Sequence, residues 1–192
     1  MTKLNKDFYL RTDVVQISKD LLGKYLFTKI DNKITAGIIT ETEAYAGITD
    51  KASHAYNNRR TARTEIMFAK GGISYVYLCY GIHHLFNVVT NVKDVPHAVL
   101  IRAVKPIEGI ETILKRRNTK EIHSRISGGP GTVSQALGIK TLHTGLDLTG
   151  TKIWIEDKGI KVNEKDIFKG TRIGVDYAGE DAKLPYRFIV KL

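Results

Sequence analysis

The chain has 192 residues, 42% hydrophobic and 26% charged, which fits one soluble globular domain, residues 1–192, with a core of its own. Its 30 Lys and Arg against 20 Asp and Glu leave a net charge of +10, which favours phosphate polyanions as partners. No apolar run approaches the roughly 20 residues of a membrane span, and no hydrophobic signal core follows the N-terminus, so the expectation is no membrane association and a cytoplasmic location.

Asp13 predicts the cap of a short helix running to Leu22 and closed by Gly23. Lys24–Ile30 and Ile34–Ala44 are β-rich runs joined as a hairpin at Asp31-Asn32-Lys33. Residues 47–60 read as an irregular polar loop, followed by a short helix over Ala62–Ala69 that stops at Gly71-Gly72. Strands are predicted over Ile73–Tyr80 and Leu85–Thr90, around a break at Gly81, and over His97–Val104. Ile107–Asn118 reads as a helix, and Gly128-Gly129-Pro130-Gly131 opens another that runs to Leu137. Short strands recur near Lys152–Glu156, Thr171–Val175 and Arg187–Val190. Strands cluster instead of alternating with long helices, which predicts an α+β domain with a mostly antiparallel sheet.

Alternation along a strand puts Glu41, Glu43 and Tyr45 on one face, where a carboxylate can take a proton from water and a ring can stack on a planar ligand. Two solvated acids at a strand edge fit the same pattern, and spacing does not separate Glu41 from Glu43. Tyr75, Tyr77 and Tyr80 suit base stacking or a wedge between base pairs, and equally a half-buried strand. Arg102 interrupts the apolar run Val99–Val104, a costly place for a charge without a partner such as Glu43. The six histidines lack metal-ligand spacing, and His83-His84 point to opposite strand faces. Cys79 reads as a buried, inert thiol. The glycine turn at 128–131 lacks the lysine of a phosphate loop, so it either holds one phosphate or simply starts a helix. Arg59, Arg60, Arg63, Arg116 and Arg117 are phosphate contacts or solvated surface. A nucleic-acid-binding protein without catalysis would use the same charge and tyrosines, but it needs neither Glu43 nor Arg102.

In order, Glu41-Thr42-Glu43-Ala44-Tyr45, Ala52-Ser53-His54, Met67-Phe68, Tyr75 to Gly81, Asn87-Val88, Val99 to Ala103, Pro106 to Gly109, Gly129-Pro130-Gly131, Gln135-Ala136-Leu137 and Arg172 to Val175 resemble the alkyladenine (3-methyladenine) DNA glycosylase family. The resemblance spans about Leu21 to Val190. It implies one mixed α/β domain on a curved antiparallel sheet, without a helix-hairpin-helix. It implies a monomeric, cofactor-free and metal-free base-excision-repair enzyme acting on double-stranded DNA with a damaged purine, nucleoid-associated in a bacterium. Such an enzyme flips 3-methyladenine, 7-methylguanine or hypoxanthine into a pocket and hydrolyses the N-glycosidic bond to leave an abasic site. By position, Glu43 is similar to the general base and Arg102 to the residue that helps hold the water. Tyr45, His54 and Tyr77 resemble the stacking walls, and Asn87 the residue that clashes with the 2-amino group of guanine. Tyr80 resembles the intercalating residue and Arg59 a phosphate contact. Thr132 departs from the family, many of whose members carry a basic residue there. No lysine matches a Schiff-base position, so the implied enzyme is monofunctional.

Overall fold

The computed structural model describes residues 2–192. After a short strand β1 (Thr2–Lys3), Asn5 and Asp13 place side-chain oxygens 3.1 Å from Phe8 N and 2.9 Å from Gln16 N, starting helices α1 (Lys6–Leu10) and α2 (Val14–Asp20). Strands β2 (Tyr25–Ile30) and β3 (Lys33–Tyr45) form the expected hairpin. Its loop is only two residues, Asp31 and Asn32, at φ 52° and 57°, the paired positive angles such a loop requires.

The remaining strands are β4 (Ile73–Cys79), β5 (His83–Thr90), β6 (His97–Glu108), β7 (Ile153–Asp157), β8 (Phe168–Gly170) and β9 (Arg187–Ile189). They complete one curled antiparallel sheet in the order β1-β7-β2-β3-β6-β5-β4, with β9 beside the later part of β3 and β8 beside β9. Together with α3 (Ile110–Arg116) and α4 (Pro130–Leu137), this is the expected α+β class. One sheet face carries Ala44, Phe86, Val88, Val99 and Ile101 into the main core, against Ile17 of α2, Leu21 just past its end, and Val133 and Leu137 of α4. The other face is covered at one end by Met67 and Phe68, packed on Tyr75, Val89 and Ala98.

The ladder slips three times between β3 and β6, once at Ala36/Gly37 and twice around Glu41. Ile39 pairs with Val104, Glu41 with Ala103 and Thr42 with Ile101, so Thr40 and Arg102 are each one extra residue in the ladder. Ile39 thereby enters the core, while Glu41 keeps the opposite face and reaches Arg102.

Three expected elements differ. β6 continues past Val104, because Pro106 and Glu108 pair with Gly37 and Ala36, and it consumes the start of the helix expected at 107–118. Gly109, at φ 69°, sets the boundary; a Cβ there would run into the Ile34 carbonyl oxygen. The helix expected at 62–69 is a single 3-10 turn, Glu65–Phe68. No strand forms at 171–175, where Gly174 turns the chain at φ 76° and the donors of Arg172 and Ile173 go to Ala44, Asp50 and Glu43. Among the described residues no helix is long and apolar enough to cross a membrane.

Phe86 has no solvent exposure and sits in the main core. Phe86→Ala should therefore cost about 3–5 kcal/mol, read as a lower urea midpoint at unchanged slope.

Candidate active site

The period of two along four adjacent strands builds one surface. Glu43 pairs with Leu100, Leu100 with Asn87, and Asn87 with Tyr75. These positions, with Tyr45, Tyr77 and Arg102, lie on the face away from the main core. Residues 47–69, the 129–132 turn and residues 173–177 wall that face into a cleft of about 580 Å³. The volume falls in the range of about 300–1,000 Å³ common to small-molecule sites.

Glu43 is fully buried. Its Oε1 accepts the Ile173 N–H at 2.9 Å and lies 3.3 Å from Arg102 Nη1, and its Oε2 accepts the Tyr45 hydroxyl at 2.9 Å. Burial raises the carboxyl's pKa. Arg102, the Ile173 amide and Tyr45 oppose that rise, and Glu41 adds to it. Burial, then the neighbouring Glu43, pushes the Tyr45 phenol well above its usual value, so it stays a hydrogen-bond donor.

Arg102 was expected to pair with Glu43, and it pairs with two acids. Its Nε donates to Glu41 Oε1 at 3.0 Å, an oxygen that Arg187 Nη1 also reaches at 3.2 Å. Glu41 is thus held between two guanidiniums, and Glu43 between one guanidinium and two neutral donors.

The aromatic wall stands at the far side. His54 meets Tyr77 edge-on, with centroids 4.7 Å apart, and Tyr75 lies 5.5 Å from Tyr77. His54 Nδ1 is 2.9 Å from the Tyr75 hydroxyl, and its Nε2 is 3.2 Å from Arg63 Nη2. Burial, with the charges of Arg63 and Arg59, lowers the His54 pKa to about 4, so the ring is neutral at physiological pH. Nε2 then accepts from Arg63 and Nδ1–H donates to Tyr75. Arg63 also lies over Tyr77, 4.8 Å from its centroid. Asn87 is buried in the cleft floor; its Nδ2 donates to the Tyr75 and Leu85 carbonyls at 3.2 and 3.3 Å.

Tyr80 is 88% exposed at the tip of the β4–β5 hairpin, held at φ 51° before Gly81 at φ 73°. An aromatic side chain held so far into solvent contributes little to the core. Arg59 is exposed on a groove beside the cleft, lined also by Lys51 and Arg63. The other arginines serve the fold. Arg60 pairs with Asp94 and covers Phe68; Arg116 donates to Thr35, Ala136 and Ile30; and Arg117 donates to Ile126. Cys79 is half-buried on the cleft rim, not enclosed as expected, because β4 leaves the core near its end. Thr132 Oγ1 is turned onto its own helix start, 3.0 Å from Gly129 N and 2.7 Å from Gly129 O. Among the described residues, no three His, Cys, Asp or Glu side chains gather as a metal cluster.

Sequence reasoning missed the Ile173 amide and the buried pair Arg172–Asp50, and it read Arg63 as a phosphate contact or solvated surface, whereas Arg63 packs on His54 and Tyr77. An amide carries no side-chain signal, and Arg172 and Asp50 lie far apart in the chain.

The sequence matches a family profile described as methylpurine-DNA glycosylase over residues 7–192. A protein of Chlamydia felis is 46% identical over 98% of this chain and 96% of its own length. A protein of Clostridium novyi is 43% identical over all of this chain and 96% of its own. A third, from Desulfitobacterium hafniense, is 40% identical over the same shares. Each is provisionally named a 3-methyladenine DNA glycosylase. With a match that runs through every strand of the cleft, the chain belongs to the methylpurine-DNA glycosylase family and is a DNA glycosylase, a hydrolase of N-glycosyl bonds.

Proposed function

We propose that the 192 residues act as one monomeric, monofunctional glycosylase domain that flips a methylated or deaminated purine out of duplex DNA and excises it with Glu43 as general base. The observation that carries this reading is a fully buried carboxylate directly behind an aromatic cleft, hydrogen-bonded to Tyr45 and Ile173 and paired with Arg102, three residues that line the cleft. The substrates proposed are 3-methyladenine, 7-methylguanine and hypoxanthine; the names of the relatives support the first of these.

Flipping costs a few kcal/mol, least for a damaged or poorly paired base. Tyr80, exposed on its hairpin, fills the vacated stack, and Arg59 binds a phosphate beside the cleft. The base enters between Tyr45, His54 and Tyr77, where stacking is worth about 1–3 kcal/mol. An alkylated, cationic purine gains further from electron-rich rings. Asn87, fixed by two carbonyls, crowds the 2-amino group of guanine, a penalty that neutral guanine does not offset and that cationic 7-methylguanine offsets through its attraction to the electron-rich rings.

As the glycosidic bond breaks, its electron pair leaves with the purine and the sugar gains oxocarbenium character. Ionised Glu43 stabilises that charge and takes a proton from the water that attacks C1′, with Arg102 helping to hold the water. A cationic purine leaves neutral. Hypoxanthine requires protonation of the leaving base, at its N7 or through a cleft water that passes on a proton and regains one from the proton Glu43 has taken up. No amine attacks C1′, so the product strand stays intact.

Glu43→Gln should lower single-turnover excision by about 10²–10⁴-fold while duplex binding and Tm hold; wild-type turnover removes Glu43 from the role. Only ionised Glu43 accepts a proton, so activity should rise with pH through the raised carboxyl value, with an acid limb above the ordinary 4.5. Tyr45→Phe removes a bond that favours the carboxylate, which should move that limb to still higher pH. Purified protein should leave abasic duplex unnicked until alkali is added, as gel analysis of the product strand would show.

A further inference from the structure

Arg172 and Asp50 form an ion pair whose side chains are 0% and 2% exposed. Nothing in the excision chemistry above uses them. A charge pair so deeply buried is a poor source of net stability, and its retention calls for another reason.

Arg172 places four of its five donors. Nη1 donates to Ala44 O at 2.9 Å and to Asp50 Oδ2, and Nη2 donates to Asp50 Oδ1 and Asp181 O, each at 2.9 Å. Asp50 in turn accepts the Ala46 and Ala52 amides, each at 3.0 Å. The pair therefore joins the end of β3, the 46–52 turn and the 172–181 loop. Lys51 N to Asp181 Oδ2 at 2.8 Å and Tyr177 OH to Ala52 O at 3.1 Å knit the same two segments.

Two of the three donors on Glu43 hang from this junction. The next residue, Ile173, supplies its N–H, and the Arg172 guanidinium lies over the Tyr45 ring, 4.9 Å from its centroid. Tyr45 supplies the hydroxyl. The third partner, Arg102, comes from β6 and pairs with Glu43 at 3.3 Å.

We propose that Arg172, locked by Asp50, is a positioning residue for the glycosylase site: it holds the Ile173 N–H and the Tyr45 hydroxyl on the Glu43 carboxylate. The inference rests on Glu43 being the base. The groups around Glu43 are Arg102 from β6, Glu41 and Tyr45 from β3, the Ile173 amide and Arg172 from the 172–181 loop, and Arg187 of β9 behind Glu41. Loss of the two positioned donors leaves the carboxylate less stabilised, so its protonation moves to higher pH.

The sign separates positioning from simple charge. Asp50→Asn removes a negative charge; by Coulomb's law alone, Glu43 would then ionise more readily and the acid limb would move down. If the pair acts by positioning, the limb moves up. Arg172→Lys keeps the positive charge but cannot span the four acceptors, and it should also move the limb up.

The test is single-turnover release of methylated purine from alkylated duplex DNA against pH, with duplex affinity measured alongside. Both variants should be slower at neutral pH and shift the limb upward by roughly half a unit or more, with affinity changed less than about threefold. A limb that stays in place or moves down in either variant overturns the proposal. Where a variant does not fold, the wild-type Ile173 amide resonance decides: it should titrate with the midpoint of the acid limb, and an amide blind to that transition overturns the coupling. Glu43→Gln separates the two failures. If it keeps activity, Glu43 is not the base; if it is inactive while the limb of the Arg172 variant does not move, only the positioning role fails.

Discussion

A carboxylate without solvent access has to be kept chargeable, and the surroundings of Glu43 are arranged around that constraint. Desolvation disfavours the ionised form of Glu43, the form that can accept a proton. One guanidinium and two neutral donors oppose desolvation, each from a different part of the chain: Arg102 from β6, Tyr45 from β3, the strand of Glu43 itself, and the Ile173 amide from a loop near the C-terminus. Burial remains the largest of these influences, and the pKa stays raised above the ordinary carboxylate value. Glu41 contributes indirectly, since it fixes Arg102 on the side away from Glu43 and shares its oxygen with Arg187.

The sheet makes this arrangement compatible with a stable fold. Its two faces divide the work, with Phe86, Val88, Val99 and Ile101 in the core and Asn87, Leu100 and Arg102 toward the cleft. Glu43, Leu100, Asn87 and Tyr75 run as a row of paired residues across four strands, so the acid, the floor and the aromatic wall share one rigid frame. Rigid elements hold reacting groups more closely than loops do. The extra residues at Thr40 and Arg102 allow β3 to pass from core packing to chemistry without losing its ladder.

Much of this frame was legible in the sequence, because local rules agreed with the final structure. Asp13 announced α2, Asp31-Asn32 announced the first hairpin, and Gly129-Pro130 announced α4. The tyrosine run placed β4 and its exposed tip. What stayed hidden depends on contacts distant in sequence. Ile38-Ile39 conceals the bulge that reverses strand parity, since either residue suits the core. The run at 107–118 has helical spacing, but pairing with Ala36 and Gly37 claims its start for β6. Thr171–Val175 has strand composition, but its donors are claimed by Asp50 and Glu43. Glu41 and Glu43 were equivalent by spacing; they differ in burial and in partners such as Arg187 for Glu41 and the Ile173 amide for Glu43, which come from distant parts of the chain.

The central claim is that the damaged purine lies in the cleft with its C1′ facing a water held by Glu43. A structure of the protein bound to duplex DNA carrying an uncleavable purine nucleotide tests it most directly. The account predicts the base between Tyr45, His54 and Tyr77, Tyr80 in the vacated stack, and a water within about 3.2 Å of the Glu43 carboxylate and in line with C1′. A base seated outside the cleft, or a Glu43 carboxylate with no water between it and C1′, would contradict it.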